Sequence, residues 1–499
     1  MAAGAVCLIH PLSAAQAPGA AVTAIVGGTV IDGNGGPAVA DAVILISGSR
    51  ISAIGPRAAV PIPADARRID ATGRWIVPGF IDTNVHLSLY GGQNDRYETL
   101  ARYQPKQEEI VLEAAQIDLS YGITTVRDSY GALVPLTRVR DQIARGDRVG
   151  TRILAAGNIL GWGGPYSFTF SRVMGQLTLF QEQMNDFIAQ GGGEELMAMT
   201  PDELRAAINA YIDKGPDFVK YGGTSHFAEP TLIGFSPEAQ KVIVDESHRR
   251  NRFVETHSTS IEGLRVSIAA GIDGIQHPEL FDGRDLPPDI IQAIRDRGLI
   301  CSMLASTIGG PAWKRHLKTK DEAETKRAEA EKETPAPTRA KTSAERRKEA
   351  ADVGADLESR RRNAQALIRA GARITPGTDS YWAAAPEFTR TPKLPEQDHG
   401  TGTIVAIEAL VELGMTPAQA IVAATKNGAI AARGLKDFGT LEAGKFADLV
   451  VLSADPLADI SAIRKVVTVF KEGRIVDREH LPATRVLSVA PVAAKRGTS

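Results

Sequence analysis

Short apolar runs that each end in a side chain able to hold a metal or move a proton recur along this chain. They constrain its fold more than any other feature. The first is Val77-Pro78-Gly79-Phe80-Ile81-Asp82-Thr83-Asn84-Val85-His86. Alternation along a strand puts residues i and i+2 on one face, so Asn84 and His86 can address one ion. Four more runs end at Lys220, His257, His277 and Asp379. Helical patterns lie between them at βα spacing. Thr200-Pro201, Ser236-Pro237 and Thr416-Pro417 each place a hydroxyl cap before a proline, which marks a helix start. Strand ends that face one centre are how a (β/α)8 barrel collects its active site. The expected fold is therefore α/β, a TIM-type (β/α)8 barrel.

The two chain ends read differently. Val22 to Val26 and Ala42 to Ile46 are rich in β-branched residues, and Ala447 to Leu452 and Val466 to Phe470 share that texture. A small β-sandwich domain formed by both chain ends follows, from residues 21–78 and 436–485, with the barrel at 79–435. Residues 314–363 are dense in both charge signs and interrupt the barrel pattern. That insertion is either a solvated helical excursion or a lid or oligomer contact. Residues 1–20 read as a leader or signal remnant and 486–499 as a tail. Ala15-Gln16-Ala17 fits a cleavage site, but the first basic residue is Arg50, so a cytoplasmic and an exported protein both stay open.

Composition excludes several functions. With 499 residues the chain can bury a large domain and a smaller one. A net charge of -2 supplies no field for nucleic acid. No apolar run reaches the ~18 to 20 residues needed to span a bilayer, so no membrane partner is expected. Cys7 and Cys301 are the only cysteines, which rules out a disulfide framework and a cysteine-based metal site.

Each strand-end residue has an ordinary reading. A lone histidine is commonly structural, a lone aspartate before a loop is a turn residue, and a lysine after a strand reaches solvent. Their succession on separate βα units is what points to chemistry. His257 and His277 are nitrogen ligands suited to zinc. His86 and Asp379 would hold a second ion, and Asp379 is placed to act as general base. A lysine buried at Lys220 loses its charge readily, and the neutral amine can take up carbon dioxide to become a bridging carbamate. Asn84 is a weaker, harder ligand than imidazole, so its site is expected to bind less tightly and to suit an ion such as manganese. Tyr221 and His226 after the Lys220 strand, Trp162 and Tyr166 in Gly161-Trp162-Gly163-Gly164-Pro165-Tyr166, and His399 are candidate substrate contacts.

From Val22 to Arg474 the chain resembles the amidohydrolase superfamily. Pro78-Gly79-Phe80-Ile81-Asp82-Thr83 is similar to the opening strand of that family, which normally continues His-x-His. Gly122 to Asp128 is similar to its second-strand signature, Asp217-Phe218-Val219-Lys220 to the carboxylated-lysine version, and Gly377-Thr378-Asp379 to its last metal-and-base motif. Gly439 to Val450 resembles the return into the small β-domain. The branch is the imidazolonepropionase-, prolidase- and ochratoxinase-like one, and Asn84 resembles an Asn-x-His subgroup of phenylurea hydrolases. The resemblance implies one or two divalent ions, a carboxylated Lys220 and hydrolysis of an amide, anilide, urea or carbamate in a small molecule. In that reaction a hydroxide held by the metal is the nucleophile and Asp379 the general base and acid. It also implies a homo-oligomer. A prolidase-like dipeptidase or N-acyl amino acid hydrolase is an alternative; it needs a cationic pocket group, for which Arg127 and Arg172 are the candidates. A barrel that binds ligand without catalysis is the third reading.

Overall fold

The computed structural model describes residues 22–90, 101–227, 231–280, 282–333, 355–382 and 394–488. The expected leader, the middle of the charged insertion (334–354) and the end of the expected tail (489–499) lie outside the described residues.

The chain ends build one sheet. Its strands are β1 (Thr23–Val30), β2 (Val39–Ser47), β3 (Arg50–Pro56), β4 (Arg67–Asp70) and β5 (Trp75–Pro78). The order continues past the central strands β6 to β14, given below, with β15 (Leu449–Leu452), β16 (Val466–Lys471) and β17 (Arg474–Ile475). Hydrogen bonding runs β17-β16-β15-β5-β1-β2-β3, with β4 beside β1. The expected sandwich is thus a single eight-stranded sheet. The reason is that β15 pairs edge-on with β5, Val450 opposite Val77, and so joins the two termini in one layer. Both faces are apolar: Ile44, Ile76 and Phe470 pack in one cluster, Ala24, Val43 and Leu45 in another.

The centre holds two parallel sheets. One contains β6 (Phe80–Tyr90), β7 (Ile123–Asp128), β8 (Arg152–Ala155) and β14 (Ser380–Trp382). The other contains β9 (Val219–Gly222), β10 (Val254–His257), β11 (Gly274–Gln276), β12 (Ile300–Met303) and β13 (Arg373–Pro376). Leu160 bridges to Tyr221 at one seam. At the other, the chain passes from β13 to β14 through Gly377-Thr378-Asp379, so one segment serves both sheets. Among the described residues no continuous ladder runs through all nine strands. Their Val, Ile and Leu side chains form one buried core with the flanking helices.

The expected helix starts are present. Oγ of Thr200, Ser236 and Thr416 accepts from the backbone N–H of Glu203, Ala239 and Gln419, capping helices Pro201–Ile212, Pro237–Arg249 and Pro417–Val422. Thr200 and Thr416 complete reciprocal capping boxes with Glu203 and Gln419.

Three buried polar contacts bear on the earlier expectations. Arg127 is fully enclosed, its Nη1 2.8 Å from Glu255 Oε2. Its guanidinium lies 3.9 Å from the Phe218 ring centre and 4.7 Å from that of Phe253. It is sealed inside the strand layer and does not reach a substrate. The base of the charged insertion is not simply solvated. Arg360, on helix Ala355–Arg369, sits 3.2 Å from the buried Glu279 carboxylate, and Asn363 donates to the carbonyls of Glu279 and Arg284 at 2.9 Å each. The insertion therefore braces the loop that follows His277. The chain beyond 485 is also anchored: the buried Glu113 carboxylate accepts from the N–H groups of Val486, Leu487 and Ser488 at 2.9–3.1 Å.

Candidate active site

Six of the residues singled out by the strand-end pattern meet at one end of the parallel sheets. Asn84 and His86 share a face of β6, as alternation requires, and both reach the same oxygen: Asn84 Nδ2 is 2.9 Å and His86 Nε2 2.8 Å from Asp379 Oδ1. His277 Nε2 lies 3.7 Å from that oxygen. His257, at the end of β10, stands 5.2 Å from the His277 ring, centre to centre. Lys220, in β9, is buried and donates to Ser129 Oγ at 3.2 Å.

Backbone strain helps this convergence. His277 and Asp379 both adopt φ of 56°, in the left-handed region that residues with a Cβ rarely enter. The Asp379 turn is held from below. Its N–H donates to the Asn84 carbonyl at 2.8 Å, and Thr378 Oγ1 donates to Asp82 Oδ2 at 2.8 Å. Thr403 Oγ1 donates to the same Asp82 oxygen at 2.7 Å. Burial pushes the Asp82 carboxyl up to about 6 against these hydrogen bonds. A Cβ on Gly377 would collide with Ser302 Oγ, so the turn needs glycine there.

The charge states suit a cation. Burial holds His257 well below its ordinary range and pushes His277 down to about 3, so both are neutral imidazoles. Burial lowers Lys220 as well, against the pull of Glu255, Asp379 and Asp128. It opposes ionisation of Asp379, yet the carboxyl stays well below the usual carboxylate range, with the Lys220 amine as the cationic group beside it.

Among the described residues no three His, Cys, Asp or Glu side chains already stand at metal-binding spacing. The donor set nonetheless fits an ion. His86 Nδ1 lies 3.0 Å from the Tyr130 carbonyl, which only accepts, so Nδ1 carries the hydrogen. That leaves the Nε2 lone pair of a neutral His86 against Asp379 Oδ1, a pair that needs a proton or a cation between them. His257 Nε2 is buried without a hydrogen-bond partner. A buried orphan nitrogen of this kind calls for one.

These residues line a cavity of about 390 Å³. Its far wall is aromatic: Tyr130, Trp162 and Phe170, with Leu89, Ile159 and Met184 beside them. Trp162 packs edge-on to His257 at 4.7 Å and donates Nε1–H to the Thr224 carbonyl at 3.0 Å. Gly222 makes room for that indole, since a Cβ there would overlap it. His226 stacks on Phe170 at 4.6 Å on the cavity rim. Trp162→Ala is expected to raise KM for an aryl substrate about tenfold while kcat changes little, because one aromatic contact is worth up to ~1.5 kcal/mol. Steady-state kinetics on an anilide checks this.

Four candidates lie elsewhere. Tyr221 neighbours Lys220 on a strand and so points to the opposite side; its hydroxyl donates to Gln240 Oε1 at 2.9 Å. Tyr166 is buried against Met184 and its backbone binds Asn185, while Pro165 lines the cavity in its place. His399 packs on Trp382 at 5.2 Å and beside Asp118, outside the cavity. Arg172 stacks over Phe227 at 4.2 Å and does not line it either.

Sequence reasoning missed Ser129, Tyr130 and Phe170. Ser129 and Tyr130 directly follow the second-strand run Gly122 to Asp128, which was a usable signal. Phe170 sits in a short helix of the loop after β8, with no local pattern to mark it.

Residues 75–476 match the sequence pattern of the amidohydrolase family. The chain belongs to that family. It is similar to the ochratoxinase of Aspergillus niger, 27% identical over 487 residues that span 93% of this chain and 89% of that one. Among solved structures, molinate hydrolase is 30% identical with a TM-score of 0.80, covering 95% of this chain and 98% of its own. Phenylurea hydrolase B is 29% identical with a TM-score of 0.81, covering 94% and 100%. These neighbours imply a TIM-type barrel with a second domain. This amidohydrolase is an enzyme that cleaves carbon–nitrogen bonds in small molecules, and its family generally binds divalent metals. Among its described residues no helix is long and apolar enough to cross a membrane.

Proposed function

We propose that the two parallel sheets close into one (β/α)8 barrel, and that the cavity at their shared end hydrolyses a neutral, aryl- or alkyl-substituted amide, anilide, urea or carbamate. The observation that carries the substrate class is the lining of the cavity. Among its described residues the one basic side chain besides imidazoles is Lys220, which is buried and bonded to Ser129. Arg127 is sealed against Glu255, and Arg172 lies on Phe227. Apart from the ion, a substrate carboxylate would thus meet no arginine and no lysine other than the enclosed Lys220, while an apolar substituent meets Tyr130, Trp162 and Phe170. That favours a neutral substrate over a dipeptide or an N-acyl amino acid. The similarity to phenylurea hydrolase B and molinate hydrolase supports the same choice.

His86, His257, His277 and Asp379 would hold the divalent ion, zinc by the chemistry of their donors, with Lys220 as a further ligand once carboxylated. A bound ion supplies a Lewis acid that acidifies water and polarises the substrate carbonyl. Asp379 accepts the proton of the attacking water and delivers it to the leaving nitrogen. The Tyr130 carbonyl fixes the His86 ring with Nε2 toward the ion, and the Asn84 amide holds the Asp379 oxygen in place. The aromatic wall seats the substituent and keeps bulk water out.

Purified, metal-supplemented protein is expected to release aniline from a phenylurea and from an N-acyl anilide and to leave a panel of dipeptides intact. Cleavage of dipeptides alone would move the enzyme to the prolidase-like reading.

A further inference from the structure

We propose that Asn84 is a positioning residue, an amide that donates to Asp379 and not an oxygen ligand, and that the Ser129 hydroxyl locks it in that orientation. The inference rests on the metal-hydrolase reading above.

The polarity of four buried groups decides it. A carboxylate accepts hydrogen bonds and donates none. The near end of the Asn84 amide is 2.9 Å from Asp379 Oδ1. An amide oxygen there would set two acceptors against each other, so the NH2 end faces Asp379. The amide oxygen then faces Ser129, in close contact with its Oγ. Ser129 has a single hydroxyl hydrogen, and it goes to Asn84. Its oxygen must therefore accept, and Lys220 Nζ donates to it from 3.2 Å. Every bond runs one way, from Lys220 through Ser129 and Asn84 to Asp379. The four residues come from β9, the end of β7, β6 and the turn after β13, and Lys220, Ser129 and Asn84 are all buried. Burial ties these hydrogens to their protein partners, so the direction of each bond constrains the next.

The consequence concerns Asn84. While Ser129 donates to it, its oxygen is engaged on the side away from Asp379. Removing the hydroxyl would release the amide to turn and offer that oxygen to an ion.

The test uses full-length protein stripped of metal and loaded with cobalt(II), read by visible d–d absorption and by cobalt content. Asn84→Ala is expected to keep the spectrum of the unaltered protein, because no ligand is lost. Ser129→Ala is expected to shift the band, Ser129→Thr to leave it in place, and the double variant Ser129→Ala/Asn84→Ala to restore it. A change in coordination number in Asn84→Ala, read from the intensity of the d–d band, would show that the amide oxygen is a ligand and overturn the proposal. An unchanged spectrum in Ser129→Ala would show that the hydroxyl locks nothing. Failure of the unaltered protein to take up cobalt would overturn the underlying metal reading, and this inference with it; that outcome is distinct from the other two. Because Ser129→Thr keeps the hydroxyl, a folding defect in the alanine variant cannot be mistaken for the lock.

Discussion

Asp379→Asn is expected to lower kcat on an anilide or phenylurea by about 10³-fold, within the 10² to 10⁴ that a positioned proton acceptor contributes. The asparagine keeps the size of the side chain but cannot take a proton from water. It also changes the partners of the cluster. An amide oxygen facing Asn84 Nδ2 preserves the bond now made at 2.9 Å, so the turn should survive. Thermal melting near that of the unaltered protein is therefore expected alongside the loss of turnover. Aniline release measured with metal present gives the rate, and elemental analysis reports whether the cation is retained. Full activity in this variant would remove Asp379 from the reaction.

Arg127→Met is expected to destabilise the fold by about 3–5 kcal/mol, the cost of leaving a buried charge without its partner. The pair it breaks is fully enclosed, with side-chain exposures of 0% for Arg127 and 2% for Glu255. Glu255 would retain Gln276, which donates to Oε1 at 2.6 Å, but one amide cannot replace a guanidinium. Adding Glu255→Leu to Arg127→Met should recover most of the loss, because apolar residues of similar volume replace buried pairs with little penalty. Urea unfolding of both variants and the parent decides it. A loss below about 1 kcal/mol in the single variant would mean that water reaches Glu255 and compensates its charge.

The strand-end pattern carried much of the site. Asn84, His86, Lys220, His257, His277 and Asp379 were each marked by an apolar run that stops at a polar residue, and the structure gathers all six around one oxygen or one cavity. Tyr221 was misplaced although a signal was available: a residue next to an inward Lys220 on a strand points outward. Tyr166 and His399 had no such signal, since loop residues carry no periodicity. The charged insertion looked solvated because its composition is; Arg360 and Asn363 are buried by partners some eighty residues away in the chain.

Local order was legible from local rules. Period-two strands, hydroxyl caps before proline and β-branched ends act between near neighbours, so helix starts such as Thr200 and Ser236 and the strand that bears Asn84 and His86 needed no tertiary knowledge. The edge-on pairing of β15 with β5, the sealing of Arg127 by Glu255 and the direction of the bonds from Lys220 to Asp379 arise between residues more than ninety positions apart in at least one step of each. A hydrogen bond has a sign only once both partners are in place. Which end of Asn84 faces Asp379 was therefore settled by packing, when a carboxylate and a hydroxyl from distant strands arrived on either side of one amide.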